Sequence, residues 1–177
     1  MAQDFPPAAL RGLTQEIYTL LKSRNETVSV AETAAGGLIS SSLLSIPGAS
    51  GIYKGGLTVY TLESRLAFAG WTPEHISSYK GPTPEIVAGL ADHTRRTLQS
   101  TYAIGESGTA GPTGGESRNR TPGYVALAVS TPEGVETREV ETGSADRAGN
   151  MVSFAEEALK LLRDVLLARQ GSGGSAL

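Results

Sequence analysis

Segments of helical period alternate with short β-branched runs along this chain, and that alternation constrains its fold more than any other feature. Leu10, Leu13, Ile17, Leu20 and Leu21 share one face of a helix predicted from about Ala8 to Ser23, behind Pro6 and Pro7. Thr27–Ala31 (TVSVA) then reads as a strand, broken by Gly36 and Gly37. A helix is predicted from about Leu38 to Ser45, stopped by Pro47-Gly48, and a second strand over Tyr53–Thr61. Leu62–Ala69 predicts a short helix closed by Gly70, and Thr72-Pro73-Glu74 starts another. Pro82–Pro84 opens a longer amphipathic helix ending near Ser100, followed by a strand over Tyr102–Gly105. Ser107–Pro122 is so rich in Gly and Pro that it predicts a loop. Gly123–Ser130 and Val135–Glu141 flank the turn Thr131-Pro132-Glu133-Gly134 and predict an antiparallel hairpin, and a final helix runs from Asp146 to Arg169. Such a series predicts an α/β domain with a mixed sheet and helices packed on its faces. The expected domain covers residues 1–170, with 171–177 (GSGGSAL) as a flexible tail.

Composition narrows the function classes. The net charge of -3 and the lack of any Lys/Arg block argue against a nucleic-acid partner. With no cysteine, disulfides and thiolate chemistry are excluded. With only His75 and His93 as histidines, a metal site is not expected. No apolar run reaches the ~18–20 residues of a membrane span, and MAQDFPPAAL does not resemble a secretory signal, so a cytoplasmic protein is expected.

Three loops carry residues that could do chemistry. In AETAAGG (Ala31–Gly37) a strand end leads through Glu32, Thr33, Gly36 and Gly37 into a helix N-terminus. Helix N-termini attract anions, and glycines permit close backbone approach; equally, Thr33 or Glu32 could serve only as a helix cap. In SGTAGPTGG (Ser107–Gly115), the hydroxyls of Thr109 and Thr113 and the backbone of Ala110, Gly111, Gly114 and Gly115 could cradle a phosphate or a developing oxyanion. The alternative is a flexible surface loop, and without a Lys after Gly115 it is not a Walker loop. In YTLESR (Tyr60–Arg65), the Tyr60 hydroxyl and the Arg65 guanidinium could face an anion, or be ordinary surface groups. His93, Arg95 and Arg96 are expected on a solvated helix face.

With these loops in this order, the chain resembles the CinA C-terminal domain family, the nicotinamide-nucleotide amidases of PncC type, from about Leu13 to Leu167. Family members carry A-E-S-x-T-G-G after the first strand, G-x-x-x-Y-S-N-E-x-K across the second strand and the next helix, and T-G-x-A-G-P-x-G-G after the third. Here these read AETAAGG, GLTVYTLESR and SGTAGPTGG. The resemblance implies hydrolysis of the carboxamide of nicotinamide mononucleotide to nicotinate mononucleotide and ammonia, without metal or cofactor. It further implies a small-molecule nucleotide ligand and a homo-oligomer. Full-length CinA proteins carry a larger N-terminal domain that this sequence does not include.

The resemblance places catalysis at Thr33, Tyr60 and Arg65, and substrate binding at Glu32, Gly36, Gly37, Arg147 and the second glycine-rich loop. Thr33 stands where the family has its Ser nucleophile, and Arg65 where it has the Lys base. Ala35 replaces the Thr of T-G-G. In SADRAGNM the first Arg of the family's G-D-R-x-x-[IV]-R is kept as Arg147, and the second is Met151. A guanidinium does not act as a base as a lysine amine can, so Glu32, Tyr60 or a water is expected to handle the proton. The alternatives implied are a catalytically degenerate domain that binds a nucleotide or acts through oligomer contacts, and a different reaction in the same pocket.

Overall fold

A computed structural model describes residues 5–172. A sheet of five strands runs in the order β2-β1-β3-β4-β5. The strands are β1 (Val28–Glu32), β2 (Tyr53–Thr58), β3 (Tyr102–Gly108), β4 (Tyr124–Thr131) and β5 (Gly134–Glu141). β1 pairs in parallel with both β2 and β3, while β3–β4 and β4–β5 are antiparallel. The sheet is mixed because the crossovers through helices end at β3 and the hairpin takes over.

The helices are α1 (Ala8–Arg24), α2 (Leu38–Leu44), α3 (Leu62–Phe68), α4 (Pro73–Ser78), α5 (Pro84–Leu98) and α6 (Arg147–Ser172). Leu10, Leu13, Ile17 and Leu21 of α1 meet Phe154, Ala158, Leu159 and Leu162 of α6 over one face of the sheet. Each such side chain contributes about 1.5–3 kcal/mol on burial. On the opposite face α5 lays Val87 and Ala91 against Ala103, Ala126 and Ala128. It approaches so closely that a Cβ at Gly105 would lie 2.2 Å from the Val87 carbonyl oxygen. Burial follows position: every residue of β1 and β4 is buried, whereas edge strands β2 and β5 are largely exposed.

Most expected elements are present, and three boundaries differ. β2 stops at Thr58, so Tyr60 lies beyond the strand, in the approach to the α3 cap Thr61. β3 runs on through Glu106, Ser107 and Gly108, because the antiparallel partner β4 extends its ladder to Gly108↔Val125. The expected loop therefore starts later, and it contains a 3₁₀ turn at Arg118–Arg120. α6 continues through Ser172, past the expected domain end at 170; the remainder of the tail lies outside the described residues.

Candidate functional site

β1 and β3 are parallel neighbours, so their C-terminal ends lie side by side, where ligands bind in open α/β sheets. The corner after β1 carries Thr33, and the glycine-rich loop follows β3. Thr33 Oγ1 donates to Ser107 Oγ at 3.2 Å, and Arg65 Nη2 reaches the same oxygen at 3.4 Å. The structure thus joins Thr33 and Arg65 through Ser107 rather than directly. All three are buried, at 3%, 4% and 1% exposure.

Arg65 projects inward from α3, with Nε donating to the Val59 carbonyl at 3.3 Å. Its guanidinium lies 5.1 Å from the Trp71 ring and 5.2 Å from the Tyr79 ring, within cation–π range. Nη1 is buried without a hydrogen-bond partner among the described residues. Arg65 is therefore a fixed positive charge under two aromatic rings, not a surface group.

Two buried carboxylates occupy the backbone donors of the first corner. Glu32 accepts from Ile39 N at 3.1 Å, from Ser40 N at 3.0 Å and from Ser40 Oγ at 2.7 Å. It caps the N-terminus of α2 from the preceding strand. Glu106 Oε2 accepts from Thr33 N at 2.8 Å and Ala35 N at 3.0 Å. Its other oxygen, Oε1, has no partner among the described residues. Burial pushes the Glu106 carboxyl up to about 7, against the pull of the Ala35 and Thr33 amides; Glu32 adds to the rise and Arg65 opposes it.

An open cavity of about 350 Å³ lies beside this buried cluster. Of the residues expected at the site, Tyr60, Thr109, Ala110, Gly111, Thr113, Gly114 and Arg147 line it. Glu32, Thr33, Arg65, Gly36, Gly37 and Gly115 do not. From the first corner only Ala34 reaches the cavity wall. Gly36 is exposed outside the cavity beside Met151, whose Cε lies 2.8 Å from where a Cβ would stand.

Arg147 defines one side of the cavity. Nη1 donates to the Gly111 carbonyl at 2.8 Å and Nη2 to the Tyr60 hydroxyl at 3.0 Å. Tyr60 is exposed and bonds Arg147, with no hydrogen bond to Thr33, so the structure does not unite Tyr60 with Thr33 and Arg65. The glycine-rich loop is tied down at several points. Thr109 N donates to the Tyr124 carbonyl at 2.8 Å, Thr109 Oγ1 to the Asn119 carbonyl at 3.1 Å, and Gly115 N to the Arg120 carbonyl at 2.7 Å. Gly111 has φ +89°, and a Cβ at Gly114 would meet the Arg120 carbonyl at 2.4 Å, so the turn requires glycine at both.

Sequence reasoning missed Glu106, Ser107, Asn150, Tyr79 and Arg120. Asn150 is buried and donates to the Ala110 and Ser144 carbonyls at 2.9 and 2.8 Å, fixing the loop to α6. Tyr79 and Arg120 line the cavity. The available signal for Glu106 was an acid directly after the apolar run Tyr102–Gly105, since a buried acid needs partners. Arg95 and Arg96 both pair with Asp92, as expected of a helix face, although Arg95 also donates to Ser130 Oγ at 2.9 Å. Among the described residues no group of three or more His, Cys, Asp or Glu could hold a metal, and no helix is long and apolar enough to cross a membrane.

The model of the CinA C-terminal domain matches residues 10–166. The chain belongs to the CinA C-terminal domain family. A CinA-like protein of Acidobacterium capsulatum is 38% identical over 158 residues, covering 88% of this chain and 37% of that protein. One of Fervidobacterium nodosum is 37% identical over 119 residues, covering 67% and 29%. The chain thus spans about a third of the length of the curated relatives it matches. Among solved structures, a competence/damage inducible protein from Agrobacterium tumefaciens superposes with TM-score 0.84 at 26% identity, covering 93% of this chain and 99% of that one. A CinA superfamily protein from Klebsiella pneumoniae has TM-score 0.83 at 21% identity, covering 90% and 98%, and shares the fold.

Proposed function

We propose that this CinA-family domain is an amidohydrolase acting on the carboxamide of nicotinamide mononucleotide. One observation carries the reading: the buried Thr33–Ser107–Arg65 cluster lies directly behind Ala34 and Gly108, which line a cavity rimmed by Arg147 and the glycine-rich loop. A phosphate would be received at the Arg147 side, where a guanidinium and loop donors are within reach of solvent. The carboxamide would point toward Ala34 and the buried hydroxyls.

In the first half-reaction the Thr33 oxygen adds to the carboxamide carbon and the C–N bond breaks. Ammonia leaves carrying the Thr33 proton, and an ester remains. Water then hydrolyses the ester, releasing the nicotinate acid and restoring the Thr33 hydroxyl. Arg65 supplies positive charge near the reacting oxygens and acts as no base. Thr33 and Ser107 are nearly closed off, so the reaction requires the corner to open toward the cavity.

Ammonia release from nicotinamide mononucleotide tests the reading directly. Turnover by the wild type that falls at least a hundredfold in Thr33→Ala supports it; absence of turnover across pH 5–9 rejects it. The burial of Thr33 and Arg65 away from the cavity favours a second reading, a domain that binds the nucleotide without hydrolysing it. In that case calorimetry detects binding with no ammonia formed, and the double substitution Thr33→Ser with Arg65→Lys creates activity. Homo-oligomer formation belongs to the same proposal. Exposed Leu44 and Phe68 offer apolar surface for it, and sedimentation would measure it.

A further inference from the structure

The geometry points to Glu106 as a positioning residue whose ionised carboxylate holds the Thr33 corner in its reactive shape. The inference rests on the amidase reading for its catalytic consequence, but the structural device stands on contacts of its own. A single carboxylate oxygen takes the amides of Thr33 and Ala35, the residues on either side of Ala34. That oxygen therefore fixes both the backbone bearing the Thr33 hydroxyl and the residue that faces the cavity. Charge-assisted bonds of this kind are about twice as strong as neutral ones.

Its surroundings give Glu106 two states. The ionisable groups acting on it are Glu32 of β1, which disfavours the charge, and Arg65 of α3, which favours it. α2 has no ionisable side chain, and α6 turns Phe154 and Ala158 toward the sheet. On β4 the one ionisable side chain, Tyr124, is engaged by Glu139 of β5. When Glu106 is ionised, Arg65 has a counter-charge within the site and the two amides bind a full anion. When it is protonated, the amides lose that anion, and Arg65 is left with Ser107, the Val59 carbonyl and the aromatic rings. The Arg65–Ser107 contact then loses the Glu106 charge that acts on Arg65, and the buried Thr33–Ser107–Arg65 cluster changes with the corner. The high ionisation point set by burial places this change near neutral pH.

The experiment uses the full chain with ¹³C-labelled glutamate carboxyls and ¹⁵N-labelled amides, titrated from pH 5 to 9. The expected result is that the Thr33 and Ala35 amide signals shift with the same midpoint as the Glu106 carboxyl, and that Glu106→Gln abolishes both shifts. Ammonia release from nicotinamide mononucleotide is then measured over the same range. Wild-type kcat should rise through that midpoint. Glu106→Gln should be at least tenfold slower with a flat profile in this range and KM within threefold. Glu106→Asp should recover a pH-dependent limb. Thr33 and Ala35 amides that do not titrate with Glu106, or a Glu106→Gln enzyme that keeps the wild-type limb, would overturn the inference. Absence of ammonia release by the wild type rejects the amidase reading alone, because the amide titration still decides whether Glu106 governs the corner.

Discussion

The corners after β1 and β3 have similar sequences and opposite constructions. Both follow a parallel strand, and both carry Thr, Ala and paired Gly. After β1, Glu106 takes the amides of Thr33 and Ala35 and Glu32 those of Ile39 and Ser40, and Thr33, Ala34 and Ala35 are at most 5% exposed. After β3, the loop is anchored by its own amides and by Asn150, yet it opens onto the cavity. The lesson is that a helix N-terminus beside a cavity need not be an anion site. Here internal carboxylates already occupy it, and the cations that line the cavity are Arg147 and Arg120.

The strand that separates the corners offers the most severe way to break the contrast. Gly105 lets α5 approach β3 beneath both. Gly105→Ala would drive a Cβ to 2.2 Å from the Val87 carbonyl, a backbone atom that cannot rotate away. We expect a loss of more than about 3 kcal/mol, read as a lower denaturant midpoint at unchanged slope. Gly89→Ala, on α5 with nothing within 4 Å of its Cβ, is the control and should be neutral or slightly stabilising.

The sealed corner should also reveal itself by pH. Glu106 has its folded-state ionisation raised from 4.5 to about 7 by burial. Below 4.5 both folded and unfolded chains hold the proton and nothing is lost. Between 4.5 and 7 the unfolded chain releases the proton while the folded chain keeps it, so stability falls as pH rises, then levels above 7. The full change is on the order of 3 kcal/mol at most. Denaturant unfolding of wild type and Glu106→Gln at a series of pH values isolates it: the difference between them should grow in favour of the variant across that window. A constant difference would mean that Glu106 ionises in the ordinary carboxylate range. A carboxylate that weakens the fold at working pH is the kind of group that function retains.

How much of this contrast was readable in the chain depends on which force decides each part. Helical period and β-branched runs identified the elements, because the apolar faces of α1 and α6 and the fully buried β4 record packing directly. The glycine-rich motifs located both corners. Their difference was not legible, because it turns on where side chains from other strands point. Glu106 lies far along the chain from Thr33, and only the parallel pairing of β1 with β3 brings them together. Arg65 likewise read from its own segment either as an anion contact or as a surface charge, and its burial was not legible because its cover, Trp71 and Tyr79, comes from the segments flanking α4. The extension of β3 through Ser107 was hidden because glycine suggests a break, whereas pairing with β4 decides.

Glu32→Gln sharpens the comparison at the cap. A carboxamide keeps one accepting oxygen but turns an NH₂ toward donors that need an acceptor. The Ile39 and Ser40 amides cannot both be satisfied, and a loss of about 2 kcal/mol is expected. Thermal unfolding would measure it. If α2 were instead held only by its apolar contacts through Ile39 and Leu43, the substitution would be nearly silent.

The open corner should respond in the reverse manner, with function lost and fold kept. Arg147 lies exposed at the start of α6, and its guanidinium spans the Gly111 carbonyl and the Tyr60 hydroxyl. Replacing it with Ala removes one of the two arginines that line the cavity, while the loop stays fixed through Asn150 and the Thr109–Tyr124 pairing. Stability should therefore change by less than about 1 kcal/mol. Affinity for nicotinamide mononucleotide should fall about tenfold, close to 1.4 kcal/mol. Affinity for the nucleoside lacking phosphate should hardly change, because Arg147 is assigned to the phosphate. Calorimetry with both ligands separates the cases. Equal losses for nucleotide and nucleoside would mean that Arg147 shapes the cavity through Tyr60 rather than meeting the anion. The phosphate would then have to be received elsewhere along the cavity wall, with Arg120 as the remaining cation.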